Sequence, residues 1–180
     1  MSLPNLLTIA RILLVPVVVW LIINDEFPAA FTVFVIAGIT DAVDGFIAKR
    51  FNAVTELGAY LDPVADKLLL VSIYVALGVQ EFLPNWLVIL VVSRDVMIIG
   101  AVILSWLVDH PVRIRPLILS KANTVAQITL AALALGLLAI ERFSPGVVFW
   151  GAAVTGLLTV ASGGQYMFAW LRHMAGKAQG

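Results

Sequence analysis

Apolar residues fill most of the chain in long stretches, and short polar segments break them at nearly regular intervals. Crossing a bilayer as a helix takes about 20 mostly apolar residues at 1.5 Å rise each. About six stretches reach that length, near 5–24, 28–50, 58–79, 84–108, 117–140 and 146–172. Pro84 and Pro145 fall near predicted helix starts, where a missing N–H costs little. Gly58 and Pro63 open the third stretch. The segment from Asp109 to Pro116 carries two prolines and reads as a loop. The tail after Arg172 is expected to be short and frayed. The pattern predicts an all-α polytopic membrane protein, with residues 1–180 forming a single transmembrane domain.

Composition agrees. Of 180 residues, 62% are hydrophobic and 12% charged, with a mean hydropathy of +1.05. A soluble domain is nearer half apolar and a quarter charged. The absence of cysteine excludes disulfides, thiolate nucleophiles and Cys-ligated metal. Eleven basic and eleven acidic residues cancel, so no overall field points to nucleic acid. There is no solenoid repeat or low-complexity tract. Pro4 and Asn5 precede the first apolar run and Arg11 interrupts it, so the opening reads as a membrane helix, not a cleaved signal.

Placement of the charges orients the helices. Lys49 and Arg50 follow the second stretch, Arg113, Arg115 and Lys121 flank the fourth loop, and Arg172 and Lys177 lie in the tail. The opposite loops hold Asp25, Glu26, Glu81 and Glu141, with Arg142 their one basic residue. Lys and Arg favour the cytoplasmic side, so both termini are expected there.

Charged side chains inside apolar stretches cost several kcal/mol each on insertion scales, yet here they cluster. Asp41 and Asp44 are three residues apart on one helix face, and Asp62 and Asp66 are four apart on the next. Lys67, Arg94, Asp95, Lys121 and Arg11 fall at similar depth on antiparallel helices. Four ionised carboxylates across one seam would repel strongly. Hard divalent cations with oxygen ligands resolve that conflict, and two ions suit phosphoryl chemistry. Gly45, Ala48 and Gly58 leave room on the same faces for close approach. Two bland readings compete: structural ion pairs such as Asp66–Lys67 or Arg94–Asp95, and a proton or cation relay in a transporter. A transporter often carries internal repeats, and none is visible. A non-catalytic scaffold leaves the four aspartates unexplained.

The segment DAVDGFIAKRFNAVTELGAYLDPVAD, from Asp41 to Asp66, resembles the signature of the CDP-alcohol phosphotransferases. That signature reads D-x-x-D-G-x-x-A-R, eight residues, then G-x-x-x-D-x-x-x-D. Asp41, Asp44, Gly45, Ala48, Gly58, Asp62 and Asp66 match it in type and spacing. Lys49 stands where the family has arginine, with Arg50 following. Lysine keeps the charge and loses the two-pronged donor, so either residue could fill that role. The resemblance implies Mg²⁺ or Mn²⁺, two ions, held by Asp41, Asp44, Asp62 and Asp66, with Asp66 also the candidate catalytic base. It implies CDP-diacylglycerol as donor, held by Gly45, Ala48, Lys49, Arg50 and Gly58, and a homodimer.

The acceptor alcohol is read from shorter motifs. PNLLTIARILLVPV and LDPVADK resemble the branch containing phosphatidylglycerophosphate synthases and CMP-forming cardiolipin synthases. Ser93-Arg94-Asp95 and Ser120-Lys121-Ala122-Asn123-Thr124 look more like the cardiolipin branch, which takes phosphatidylglycerol; the alternative acceptor is glycerol 3-phosphate. Both carry a phosphate that Arg94, Lys121, Arg113 and Arg115 could hold. The shared expectation is a bacterial inner-membrane protein whose site faces the cytoplasm. His110 and His173 have no partner spacing that suggests chemistry. Trp20, Trp86, Trp106, Trp150 and Trp170 read as interfacial residues. The Gly- and Ala-rich stretches near Gly151 and Gly163 read as helix packing, with a dimer contact as the second possibility.

Overall fold

The computed structural model describes residues 3–50, 56–107 and 118–177, of which residues 3–8, 42–50, 56–64, 101–107, 170 and 172–177 are described by backbone alone. These residues form six α-helices: α1 (Leu3–Ile23), α2 (Phe27–Arg50), α3 (Glu56–Val79), α4 (Asn85–Leu107), α5 (Ile118–Ala139) and α6 (Pro145–Lys177). Each expected stretch is a helix, with ends shifted by a few residues. The tail departs from expectation, since α6 continues past Arg172 to Lys177. The predicted Asp109–Pro116 loop lies outside the described residues.

Around the bundle the helices pack in the order α1, α2, α5, α6, α4, α3 and back to α1, with α3 and α5 also touching across it. Inward positions recur at helical spacing. On α2 they are Ala30, Phe34 and Ala37; on α6 they are Val148, Ala152, Thr155, Thr159 and Ser162. Tyr74 of α3, fully buried, donates to the Gln127 carbonyl of α5 at 3.0 Å and ties the bundle across its middle.

The outward faces are apolar as well. Leu13, Trp20, Ile39, Val96, Leu157 and Phe168 are all more than half exposed. A water-soluble surface rarely shows so much contiguous apolar area. Among the described residues two helices, Ile118–Ala139 and Pro145–Ala169, are long and apolar enough to cross a membrane by length and composition. Six spans were expected. Within the residues described with side chains, Ile9–Ile23 of α1 and Phe27–Asp41 of α2 are shorter apolar runs.

Three helix pairs close in the same way at one end. Asp25, Glu81 and Glu141 adopt φ of 61°, 64° and 54°. At each, the next residue's N–H reaches back five residues: Glu26 to Leu21, Phe82 to Leu77 and Arg142 to Leu137, all at 2.9 Å. This pairing satisfies the orphan carbonyls of α1, α3 and α5. Phe82 stacks edge-on with Phe27 at 5.3 Å and with Phe143 at 5.2 Å, clipping the three turns together. Gln80 donates its amide to the Ile22 carbonyl, which adds a polar tie between α3 and α1. Trp20, Trp86 and Trp150 sit exposed near this end. Of the other expected interfacial residues, Trp106 and Trp170 have side chains outside the described residues. The charged residues within the helices, Arg11, Asp41, Asp66, Lys67, Arg94 and Asp95, lie away from this end.

Candidate functional site

Helical spacing carries Arg11 inward. It lies seven and eleven residues before Val18 and Ile22, both fully buried on α1, and is itself 4% exposed. The buried face of α2, Ala30–Phe34–Ala37, reaches Asp41 one turn later. On α3, Asp66 precedes Leu70, Ile73 and Leu77 at the same repeat. The three side chains meet: Arg11 Nη2 lies 2.8 Å from Asp41 Oδ1, and Arg11 Nη1 lies 2.7 Å from Asp66 Oδ1. One guanidinium thus holds carboxylates from two helices on separate nitrogens, using the planar fork that lysine lacks. The arginine is sealed in, while the Asp41 and Asp66 side chains are 42% and 46% exposed.

A cavity of about 130 Å³ opens onto this cluster between α2, α3 and α5. Its polar end is Arg11, Asp41, Asp66, Lys67 and Thr124; Phe34, Ala37, Leu70 and Ile128 form an apolar wall. A second cavity, about 140 Å³, lies on the α1–α2 side of Arg11 against Leu14 and Thr40. An amphipathic space of this kind suits a ligand with a charged head and an apolar body.

A second ionic group begins one residue on. Lys67 Nζ donates to both Asp95 oxygens, at 2.8 and 3.0 Å. Asp95 Oδ1 also accepts from Arg94 Nη1 at 2.8 Å. Arg94 Nη2 donates to Ser120 and Ser162 hydroxyls, each at 2.7 Å, and the guanidinium lies 5.5 Å from the Tyr166 ring centre. Gly163 faces the Arg94 stem, where an added Cβ would make ordinary contact, 3.5 Å from Arg94 Cγ and 3.4 Å from Met97 Cε. Through neighbours Asp66 and Lys67, the two groups form a polar layer that draws on all six helices.

Below this layer α5 and α6 share a buried polar strip. Asn123 and Gln127 are fully buried. The Thr159 hydroxyl lies 2.8 Å from Asn123 Oδ1 and from the Thr155 carbonyl. Both side-chain atoms of Gln127, with Asn123 Nδ2 and Arg94 Nε, have no hydrogen-bond partner among the described residues.

Among the residues expected to act, Asp41 and Asp66 are brought together. Asp44 and Asp62 lie on the same two helices and are described by backbone alone, as are Gly45, Ala48, Lys49, Arg50 and Gly58. Arg113 and Arg115 lie outside the described residues altogether. Among the described residues no three acid or histidine side chains converge. The donor set nonetheless fits a hard cation: carboxylate oxygens from α2 and α3 face one another across a single positive group. Lys121 is exposed in the first turn of α5, whereas Arg94 is 6% exposed and engaged by Asp95, Ser120 and Ser162. Of the two structural ion pairs weighed as bland readings, Arg94–Asp95 is present, whereas Asp66 pairs with Arg11 and Lys67 with Asp95. Sequence reading assigned Arg11 no role. The available signal was a lone cation in an apolar run, at helical spacing from inward residues. Ser162 carries a similar signal, since it continues the buried face of α6.

Comparison with known proteins bears on this site. The family model described as CDP-alcohol phosphatidyltransferase matches residues 1–160. The chain is 39% identical over 150 residues to a human protein named cardiolipin synthase (CMP-forming), covering 74% of this chain and 50% of that protein. The chain thus spans about half the length of that relative. It is 34% identical to a CDP-diacylglycerol–glycerol-3-phosphate 3-phosphatidyltransferase of Pseudomonas fluorescens, covering 91% of this chain and 84% of the relative. A Bacillus subtilis protein of that same name is 33% identical, with 92% and 93% covered.

Proposed function

Because the chain belongs to the CDP-alcohol phosphatidyltransferase family, we propose that it transfers the phosphatidyl group of CDP-diacylglycerol to an alcohol at the Asp41–Asp66 site. The observation that carries this reading is the cavity, with carboxylates of two helices at its head and an apolar wall beside them. Such a space would take phosphate oxygens near the acids and the part of the lipid next to them along the wall, with the acyl chains extending outside it.

Asp41, Asp44, Asp62 and Asp66 would hold two divalent ions, Mg²⁺ or Mn²⁺. When bound, such ions offset the charge of the pyrophosphate and of the departing CMP. Gly45, Ala48, Lys49, Arg50 and Gly58 would take the cytidine and its phosphate. Asp66 accepts the proton of the acceptor hydroxyl. The hydroxyl oxygen then bonds to the lipid-bearing phosphorus, the bond from that phosphorus to the CMP oxygen breaks, and CMP leaves with the electron pair.

The favoured acceptor is phosphatidylglycerol, which gives cardiolipin; glycerol 3-phosphate is the second reading. Ser93-Arg94-Asp95 and the segment from Ser120 to Thr124 are the two motifs behind that preference, and they touch through the Arg94–Ser120 hydrogen bond. Lys121, with Arg113 and Arg115, would take the acceptor phosphate. Arg94 would support them from behind by holding Ser120. The exposed apolar faces support six membrane spans, and the Lys/Arg bias supports a cytoplasmic site with both termini on that side. A bacterial inner membrane and a homodimer complete the proposal.

The test is CMP release by purified protein given CDP-diacylglycerol and Mg²⁺ or Mn²⁺, with phosphatidylglycerol or glycerol 3-phosphate supplied separately. Release that depends on phosphatidylglycerol and yields cardiolipin is the expected result. Dependence on glycerol 3-phosphate would overturn the acceptor and keep the chemistry; no release with either would sink the proposal.

A further inference from the structure

Arg11 is the most deeply placed member of the carboxylate cluster, yet the two acids it holds are about half exposed to the cavity. Arg94, by contrast, pairs with an acid as buried as itself, Asp95. Arg11 instead reaches from the protein side of the site to one oxygen each of Asp41 and Asp66, the same acids read above as cation ligands. Its two contacts come from different nitrogens, so the fork, carried by α1, bridges α2 and α3, which flank α1 on either side.

We propose that Arg11 is a built-in counter-ion that competes with the divalent cation for Asp41 and Asp66, holding the two carboxylates together before the ion arrives and lowering the site's affinity for it. This deepens the proposed function and rests on its metal reading. Two carboxylates facing one another without a cation repel, and burial of the surrounding helices strengthens that repulsion. The guanidinium offsets it in the ion-free protein. An incoming ion meets a local net charge of minus one from these three groups with Arg11 and minus two without it. Removing the arginine therefore tightens ion binding, the opposite of what loss of a merely structural residue would do.

The experiment is direct Mn²⁺ titration of detergent-solubilised protein without lipid substrate, with free Mn²⁺ followed by electron paramagnetic resonance. Arg11→Gln should bind Mn²⁺ roughly tenfold or more tightly than wild type, as expected for removal of a unit charge within a few ångströms of a divalent ion. Arg11→Lys keeps the charge but cannot fork between both acids, so its Kd should fall between the two. If Arg11→Gln fails to fold, the Arg11→Lys comparison carries the test: tighter binding than wild type supports the proposal, and equal or weaker binding overturns it. Wild type that binds Mn²⁺ with a folded Arg11→Gln unchanged or weaker overturns the counter-ion role alone. Failure of wild type and both variants to bind Mn²⁺ overturns the metal reading of the proposed function as well.

Discussion

Replacing Asp95 with Ala should destabilise the protein by about 3 kcal/mol, the low end of the range for breaking a buried ion pair. Asp95 and Arg94 are 7% and 6% exposed in their side chains and are joined at 2.8 Å. Without the carboxylate, the Arg94 charge stays buried with two serine hydroxyls and the Tyr166 ring as its described neighbours. Those remaining partners place the loss at the low end. Lys67 adds little, because its side chain is 29% exposed and can turn toward solvent. The assay is equilibrium unfolding in mixed micelles of non-ionic detergent and SDS, read by the fluorescence of the five tryptophans. Arg94→Met combined with Asp95→Leu should recover most of the loss, since an apolar pair of similar volume leaves no orphaned charge. A loss under about 1 kcal/mol for Asp95→Ala, the scale of an exposed pair, would refute the reasoning. A double variant as unstable as the single one would show that the pair itself, not the stranded arginine, carries the stability.

Asp66→Asn should lower turnover by about 10²- to 10⁴-fold, the usual contribution of a general base, with CDP-lipid binding retained in a filter or fluorescence assay. Loss of that binding would instead mark Asp66 chiefly as an ion ligand. On α6, Gly156→Ala should cost about 1–3 kcal/mol by overpacking, because its Cβ would fall 2.7 Å from Trp86 Cζ3 and 3.0 Å from Cη2. Gly164→Ala, whose Cβ meets nothing within 4 Å among the described residues, should gain up to about 1 kcal/mol from helix propensity. Equal effects at the two positions in the same unfolding assay would show that α4 and α6 are not in close contact at Gly156.

Local pattern was enough to find the helices, since an apolar run of fixed length between turn residues has few other solutions. The same pattern put Asp41 and Asp66 on inward faces, because three- and four-residue spacings are properties of one helix. The signature from Asp41 to Asp66 pointed to the family for a related reason: its acids lie on two consecutive helices, α2 and α3. Pairing between distant helices is a different matter. Arg11 meets acids 30 and 55 residues away, and Lys67 takes Asp95 in preference to its neighbour Asp66. Neighbours along a helix point about 100° apart, so adjacency alone did not decide: Arg94 pairs with its neighbour Asp95, whereas Lys67 reaches across to Asp95 on α4. Arg94 was read as reaching toward a ligand, and packing turned it inward onto Ser120 and Ser162. The sequence by itself therefore determined the helices, their apolar surfaces and the identity of the acids, all of which follow from short-range periodicity and residue chemistry. The tertiary structure alone decided which cation neutralises an acid on another helix, because that depends on the order of helices around the bundle, with α1 against α2 and α3 and α4 between α3 and α6.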